Sequence, residues 1–145
     1  MSNGYRLGID LGGTKIEAAV IGPDGGFADR RRVANPKSYD GMLDAIADLI
    51  AENERQVGQS FDRLGLSIPG SPSLQTGLIR NANSTYINGK PFAADLEARL
   101  GRQVRLANDA NSLALSEATD GAAAGLGVVF GVIAGTGLGL SLIHI

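Results

Sequence analysis

Gly8-Ile9-Asp10-Leu11-Gly12-Gly13-Thr14-Lys15 is the stretch on which the reading of this chain turns. Upstream and through it, Tyr5, Leu7, Ile9 and Leu11 alternate with Arg6, Gly8 and Asp10, the period of a half-buried strand. Downstream, Ile16, Ala18 and Val20 alternate again. Gly12-Gly13 interrupts the pattern, so the two runs read as a β-hairpin with a glycine tip. Glycine tolerates φ > 0 and lets backbone approach a ligand closely, and both properties are expected of Gly12 and Gly13. Their N–H groups, with the Thr14 hydroxyl, suit a concave anion site. Asp10 sits where it could hold Mg²⁺ through water. The run is not a Walker loop, because the G-x-x-x-x-G-K-[ST] spacing is absent. Two glycines taken alone are equally consistent with a plain turn.

Working outward, Pro23-Asp24-Gly25-Gly26 signals a second turn, and residues 27–33 read as a third strand of an antiparallel meander. Ser38 is placed as a helix N-cap with Asp40 in the first turn. Met42, Leu43, Ile46, Leu49 and Ile50 then recur at helical spacing to about Gln56. Leu64, Leu66 and Ile68 alternate as a strand that Pro69-Gly70 ends. Residues 71–90 are rich in Asn, Ser and Gly and predict loops with short extended pieces. Pro91 opens a helix with Phe92, Leu96 and Leu100 inward, and Gly101 stops it. Val104 and Leu106 make a short strand. Asn108-Asp109 cap a helix that turns Ala110, Leu113, Ala114 and Ala118 inward. Residues 121–127 read as a small-residue linker, and Val128 to Ala134 as a continuously apolar, buried strand. Three antiparallel strands followed by alternating helices and strands predict an α/β fold, a mixed sheet flanked by helices. The expected division is residues 1–120 as one lobe and 121–145 as the start of a second.

Composition narrows the function classes. Of 145 residues, 43% are hydrophobic and 19% charged, a globular and not a disordered balance. A net charge of -2 argues against nucleic acid as the main partner. The cationic run Arg30-Arg31-Arg32 reads as a solvated strand end. With no cysteine, the chain has neither disulfides nor thiolate metal sites. No apolar run reaches the ~18 residues of a membrane span and the N-terminus lacks an apolar h-region, so a cytoplasmic protein is expected.

Three further segments could carry chemistry. In Asn108-Asp109-Ala110-Asn111 a carboxylate stands where a strand hands over to a helix, the end of a sheet at which α/β proteins bind ligands. It could take the proton of a hydroxyl attacking phosphorus. An ordinary helix cap fits the same residues. Gly135-Thr136-Gly137 follows the apolar run at once and could cradle phosphate oxygens. Asn81-Ala82-Asn83-Ser84-Thr85 offers side-chain amides, which suit sugar hydroxyls, although an Asn-rich turn explains them too. His144 is the lone histidine and makes no metal site.

In register, these motifs resemble the ROK family of bacterial sugar kinases, repressors and open reading frames. Residues 8–15 match its first phosphate loop, 108–111 its catalytic segment and 135–137 its second phosphate loop. Ile68-Pro69-Gly70-Ser71, the 81–85 run, Asn88-Gly89 and Pro91-Phe92 look closest to the family's fructokinases. The resemblance implies an actin-like, ribonuclease H-like ATPase lobe. It implies Asp109 as catalytic base, with Asn83 and Asn108 holding sugar hydroxyls. Asp10, Gly12, Gly13, Thr14 and Lys15, with Gly135, Thr136 and Gly137, would face ATP and Mg²⁺. The implied acceptor is fructose, with glucokinase, mannokinase or N-acetylhexosamine kinase activity as alternatives within the family. A sugar-responsive repressor is disfavoured because the first loop begins at Gly8, leaving no room for a preceding helix-turn-helix. A homodimer and a zinc site are family traits expected only of a longer protein. Full members continue well past the second loop, so the 145-residue chain is expected to bind ATP weakly and not to turn over. Leu140-Ser141-Leu142-Ile143-His144-Ile145 departs from the family's glycine-rich pattern. It reads either as a translated sequencing-adapter end on a truncated gene or as a genuine apolar strand.

Overall fold

A computed structural model of the chain describes residues 4–134 and 138–144. Its contacts divide it into two units, one ending at Leu106 and the other beginning at Ala107. The expected division at 120/121 differs from this, because the helix beginning at Asp109 packs on the strands that follow it.

The first unit opens with β1 (Arg6–Leu11), β2 (Lys15–Ile21) and β3 (Phe27–Ala34) as the expected antiparallel meander. The 19-residue helix α1 (Tyr39–Val57) follows, then β4 (Arg63–Ile68), which lies parallel to β1 with Asp10 opposite Ser67. Short strands β5 (Ser71–Pro72) and β6 (Ile79–Arg80) pair with each other. A 3₁₀ turn at Thr85–Ile87, α2 (Phe92–Leu100) and β7 (Gln103–Asn108), whose last two residues belong to the second unit, complete the order. The main sheet runs β3-β2-β1-β4-β7, mixed as predicted.

Alternation places the core. Leu7, Ile9 and Leu11 of β1 are buried with Ile16, Ala18 and Val20 of β2 and Leu64, Leu66 and Ile68 of β4. α1 lays Met42, Leu43, Ile46, Leu49 and Ile50 into this face. Ser38 occupies the N-cap position of α1 but makes no side-chain capping bond. Pro91 sits one residue earlier than expected, at the N-cap of α2. Gly58 and Gly101 stop α1 and α2 in the left-handed conformation that glycine adopts without penalty.

The Arg30-Arg31-Arg32 run is more than a solvated strand end. Arg30 and Arg32 both pair with Glu17 across the β2–β3 ladder, and Arg31 pairs with Asp29. The hydrogen bond from Arg30 is the main reason the Glu17 carboxyl is held below its usual range, so this side chain stays ionised.

The second unit is α3 (Asp109–Asp120) on an antiparallel hairpin, β8 (Val128–Ala134) and β9 (Leu138–His144). α3 buries Ala110, Ala114 and Ala118, and Leu113 is half-buried. The helix can approach closely because the facing strands carry glycine. A Cβ on Gly131 would lie 3.1 Å from the Ala114 Cβ, and one on Gly139 3.3 Å from the Ala110 Cβ. The expectation of a continuously buried β8 fails. Val129 and Gly131 face α3, but Val128, Phe130 and Val132 are exposed, as are Leu138, Leu140 and Leu142 beside them on β9. One sheet face packs on the helix, and period-2 geometry turns the other outward.

Gly70 adopts φ +107, and an added Cβ would meet the Arg80 carbonyl at 2.7 Å and the Ala82 nitrogen at 2.9 Å. Gly70→Ala should therefore destabilise the first unit by about 1–3 kcal/mol, read as a lower urea midpoint. The apolar outer face of the hairpin makes a second expectation. The chain is expected to self-associate through this face, and Phe130→Lys with Leu142→Glu, an opposite pair on it, should then shift it toward monomer in sedimentation velocity. Unchanged association would place the sticky surface elsewhere.

Candidate functional site

The two units carry different parts of the chemistry. In the first, β1 and β2 hand over through Gly12-Gly13-Thr14, as the sequence predicts, with Leu11 opposite Ile16. Neither Gly12 nor Gly13 takes the positive φ expected of them. Gly12 is required for another reason: its N–H donates to the Lys15 carbonyl at 2.9 Å, and a Cβ would stand 2.9 Å from that same oxygen. Gly13 faces open space, so backbone there is accessible to a ligand. Thr14 and Lys15 are exposed.

Asp10 lies at the penultimate position of β1, on the face away from the core. Its cross-strand partner is Glu17, whose charge is taken up by Arg30 and Arg32. Mg²⁺ commonly needs one or two carboxylates and takes its other oxygens from substrate phosphate and water. Asp10 beside a glycine turn fits that requirement. Among the described residues, no group of three or more His, Cys, Asp or Glu side chains could hold a metal without such help.

β1 and β4 are parallel, so the Gly12–Thr14 turn and Pro69-Gly70 leave the sheet at the same edge, the carboxyl ends of both strands. Gly70 is packed against the backbone of residues 80–82, which leads into Asn83. Asn83 itself is exposed. What holds this segment is Asn88, which sequence reasoning did not single out for that role. Its Oδ1 accepts from the Ala82 N–H and its Nδ2 donates to the Ala82 carbonyl, both at 2.9 Å. One amide thus satisfies both polar groups of one residue, as a neighbouring strand would. Gly89 donates to the Ile79 carbonyl and Ile79 to the Lys90 carbonyl, closing the loop at its base. The left-handed Asn81, φ 58, turns the chain into it.

In the second unit, Asn108 is the N-cap of α3 and Asp109 its first residue. The Asn108 side chain accepts from Ala110 and Asn111 N–H groups, the capping role that sequence alone left as one of two readings. Asp109 is half-buried, and its Oδ1 accepts from the Ala110 N–H at 2.8 Å. The same oxygen is 3.8 Å from where a Cβ of Gly139 would lie. Glycine at that point of β9 leaves room beside the carboxylate. Ser141 donates to Asn111 Oδ1 at 2.5 Å, a second tie between β9 and the first turn of α3. Gly135, Thr136 and Gly137, the expected second phosphate loop, lie outside the described residues. Residues 134 and 138 on either side of them are paired in the β8–β9 ladder.

Such an arrangement can present backbone N–H donors to an anion at the Gly12–Thr14 turn. It can also present a carboxylate, at a helix start, to a hydroxyl. Removing the Asn88 amide should leave Ala82 polar groups unpaired. Asn88→Ala is expected to cost about 1–3 kcal/mol in urea unfolding, whereas Asn83→Ala, an exposed neighbour, should change stability little.

The ROK family profile matches residues 6–144. N-acetyl-D-glucosamine kinase of Escherichia coli O127:H6 (strain E2348/69) is 45% identical over 137 residues, covering 94% of this chain and 45% of that protein. The chain therefore spans about half the length of the curated relatives it matches. Among solved structures, a ROK hexokinase from Thermus thermophilus superposes with TM-score 0.82 at 32% identity, covering 97% of this chain and 47% of that one. A ROK family glucokinase from Streptomyces griseus, in complex with glucose and AMPPNP, gives TM-score 0.82 at 31% identity, covering 97% and 44%.

Proposed function

This chain belongs to the ROK family, and from that premise we propose that the protein containing it is an ATP-dependent hexose kinase. The observation that carries the reading is Asp109. It stands half-buried at the start of α3, its carboxylate beside Gly139 of β9, in a chain whose relatives are named as sugar kinases. Asp109 takes the proton of the sugar hydroxyl as that oxygen bonds to the γ-phosphorus. The bond from the γ-phosphorus to the bridging oxygen breaks, and ADP leaves. Gly12, Gly13, Thr14 and Lys15 face the phosphates, with Gly135, Thr136 and Gly137 as the second loop. Asn83 and Asn108 hold the sugar. Asp10 is the carboxylate for Mg²⁺, which supplies charge neutralisation on the transferring group. The Streptomyces griseus relative, holding glucose with AMPPNP, supports a hexose and a nucleotide as co-substrates.

Fructose, expected from the 68–92 stretch, finds no support among these relatives. Their names point to N-acetyl-D-glucosamine and glucose, and the 45% identity favours the former as acceptor. A coupled assay with ATP and a panel of N-acetyl-D-glucosamine, glucose, mannose and fructose decides among them. The expected order puts N-acetyl-D-glucosamine first, and a clear win for fructose would restore the motif-based reading. In a full-length protein carrying this segment, Asp109→Ala should lower kcat by about 10²–10⁴, the usual worth of a general base. Turnover within a few-fold of the unaltered enzyme would remove Asp109 from that role.

A further inference from the structure

We infer that Asn35 is a positioning residue for the first phosphate loop, aiming its peptide N–H groups at the ligand. The inference deepens the kinase reading and rests on it. Asn35 follows the last residue of β3 and is 5% exposed, one of few buried polar residues among those described. Its Nδ2 donates to the Gly12 carbonyl at 2.8 Å, and its backbone N–H donates to the Thr14 carbonyl at 2.9 Å. Its Oδ1 accepts from the Lys37 N–H at 3.0 Å, with Lys37 in the left-handed conformation at φ 58. A non-glycine residue is held there only when its surroundings over-determine it.

The consequence follows from the planarity of the peptide. In a trans unit the N–H points opposite to the carbonyl that precedes it. Drawing the Gly12 and Thr14 carbonyls toward Asn35 turns the next N–H groups, those of Gly13 and Lys15, the other way. Gly12 N–H, in the preceding peptide unit, is committed to the Lys15 carbonyl, which holds the chain entering the turn. Donation to the Gly12 carbonyl also polarises the peptide, making the Gly13 N–H a better donor to an anion. Asparagine suits the task because one side chain supplies both the donor for Gly12 and the acceptor for Lys37. No side-chain atom of Asn35 needs to touch phosphate.

The test uses the ¹⁵N-labelled chain and magnesium tripolyphosphate, which carries phosphate oxygens without adenosine or sugar. In the unaltered chain the Gly13 and Lys15 amide signals should shift saturably. Asn35→Ala removes the amide without adding charge, and Asn35→Asp keeps the acceptor for Lys37 but loses the donor. Both should weaken tripolyphosphate by about tenfold, the factor for one hydrogen bond of ordinary strength. Asn53→Ala deletes another buried amide, the one bonded to Asp29 from α1, and should lower thermal stability without weakening tripolyphosphate. Equal weakening by Asn53→Ala, unchanged affinity in both Asn35 variants, or shifts that avoid Gly13 and Lys15 would overturn the inference. In the full-length kinase the Asn35 variants should raise KM for MgATP and leave KM for hexose unchanged. A parallel rise in both would count against the positioning role. No hexose phosphorylation at all, with an intact and Asn35-dependent tripolyphosphate response, would sink the kinase reading and leave this inference standing.

Discussion

The first unit depends on the strict alternation of β1. Leu7, Ile9 and Leu11 are buried against β2, β4 and α1, so Gly8 and Asp10 have no choice but the opposite face. A slip of one residue would bury Asp10 and expose three large apolar side chains, at roughly 1.5–3 kcal/mol for each of the latter. That constraint delivers a carboxylate and a glycine turn to the same end of the strand. The parallel pairing with β4 then brings Pro69-Gly70 to the same edge, and with it the segment leading to Asn83. Core packing and the placement of the chemistry are one event here.

Three asparagines hold the segments around this chemistry, each by a different use of the amide group. Asn35 ties the carbonyl side of the Gly12–Thr14 turn. Asn88 brackets the polar groups of Ala82. Asn108 caps the helix that begins with Asp109. Loops lack the ladder bonds of sheets and helices, so their buried polar groups must find partners elsewhere. A side-chain amide, with a donor and an acceptor at fixed geometry, is the nearest substitute for a neighbouring strand.

In the second unit, precision comes from small residues. Ala110 and Ala114 meet Gly139 and Gly131, and any added methyl would stand within 3.1–3.3 Å of a neighbour. Close seating of α3 sets the position of the Asp109 carboxylate over Gly139. The opposite face of the hairpin, with Phe130, Leu140 and Leu142, is exposed. Contiguous apolar surface of this kind is the sort that mediates contacts or promotes aggregation.

Most of the fold was legible in the chain itself, because periodicity 2 and periodicity 3.6 are local properties. The meander, α1, β4, α2 with its Gly101 stop, and α3 all follow from alternation, helical spacing and turn residues within a few positions of one another. The helix-start position of Asp109 was legible for the same reason. Partnerships between distant residues were not. That Gly12 is needed for a close approach and not for positive φ depends on where the Lys15 carbonyl ends up. That Arg30 and Arg32 converge on Glu17 depends on the β2–β3 register. That β8 is covered on one face only depends on α3 packing back onto the hairpin, which an unbroken apolar run cannot reveal. Asn35 carries no sequence signal beyond being an asparagine near a turn, and Asn88, part of the family resemblance, carries none for the bracketing of Ala82. Their roles arise because tertiary packing brings one amide within hydrogen-bonding distance of a backbone 23 residues away in the first case and 6 in the second.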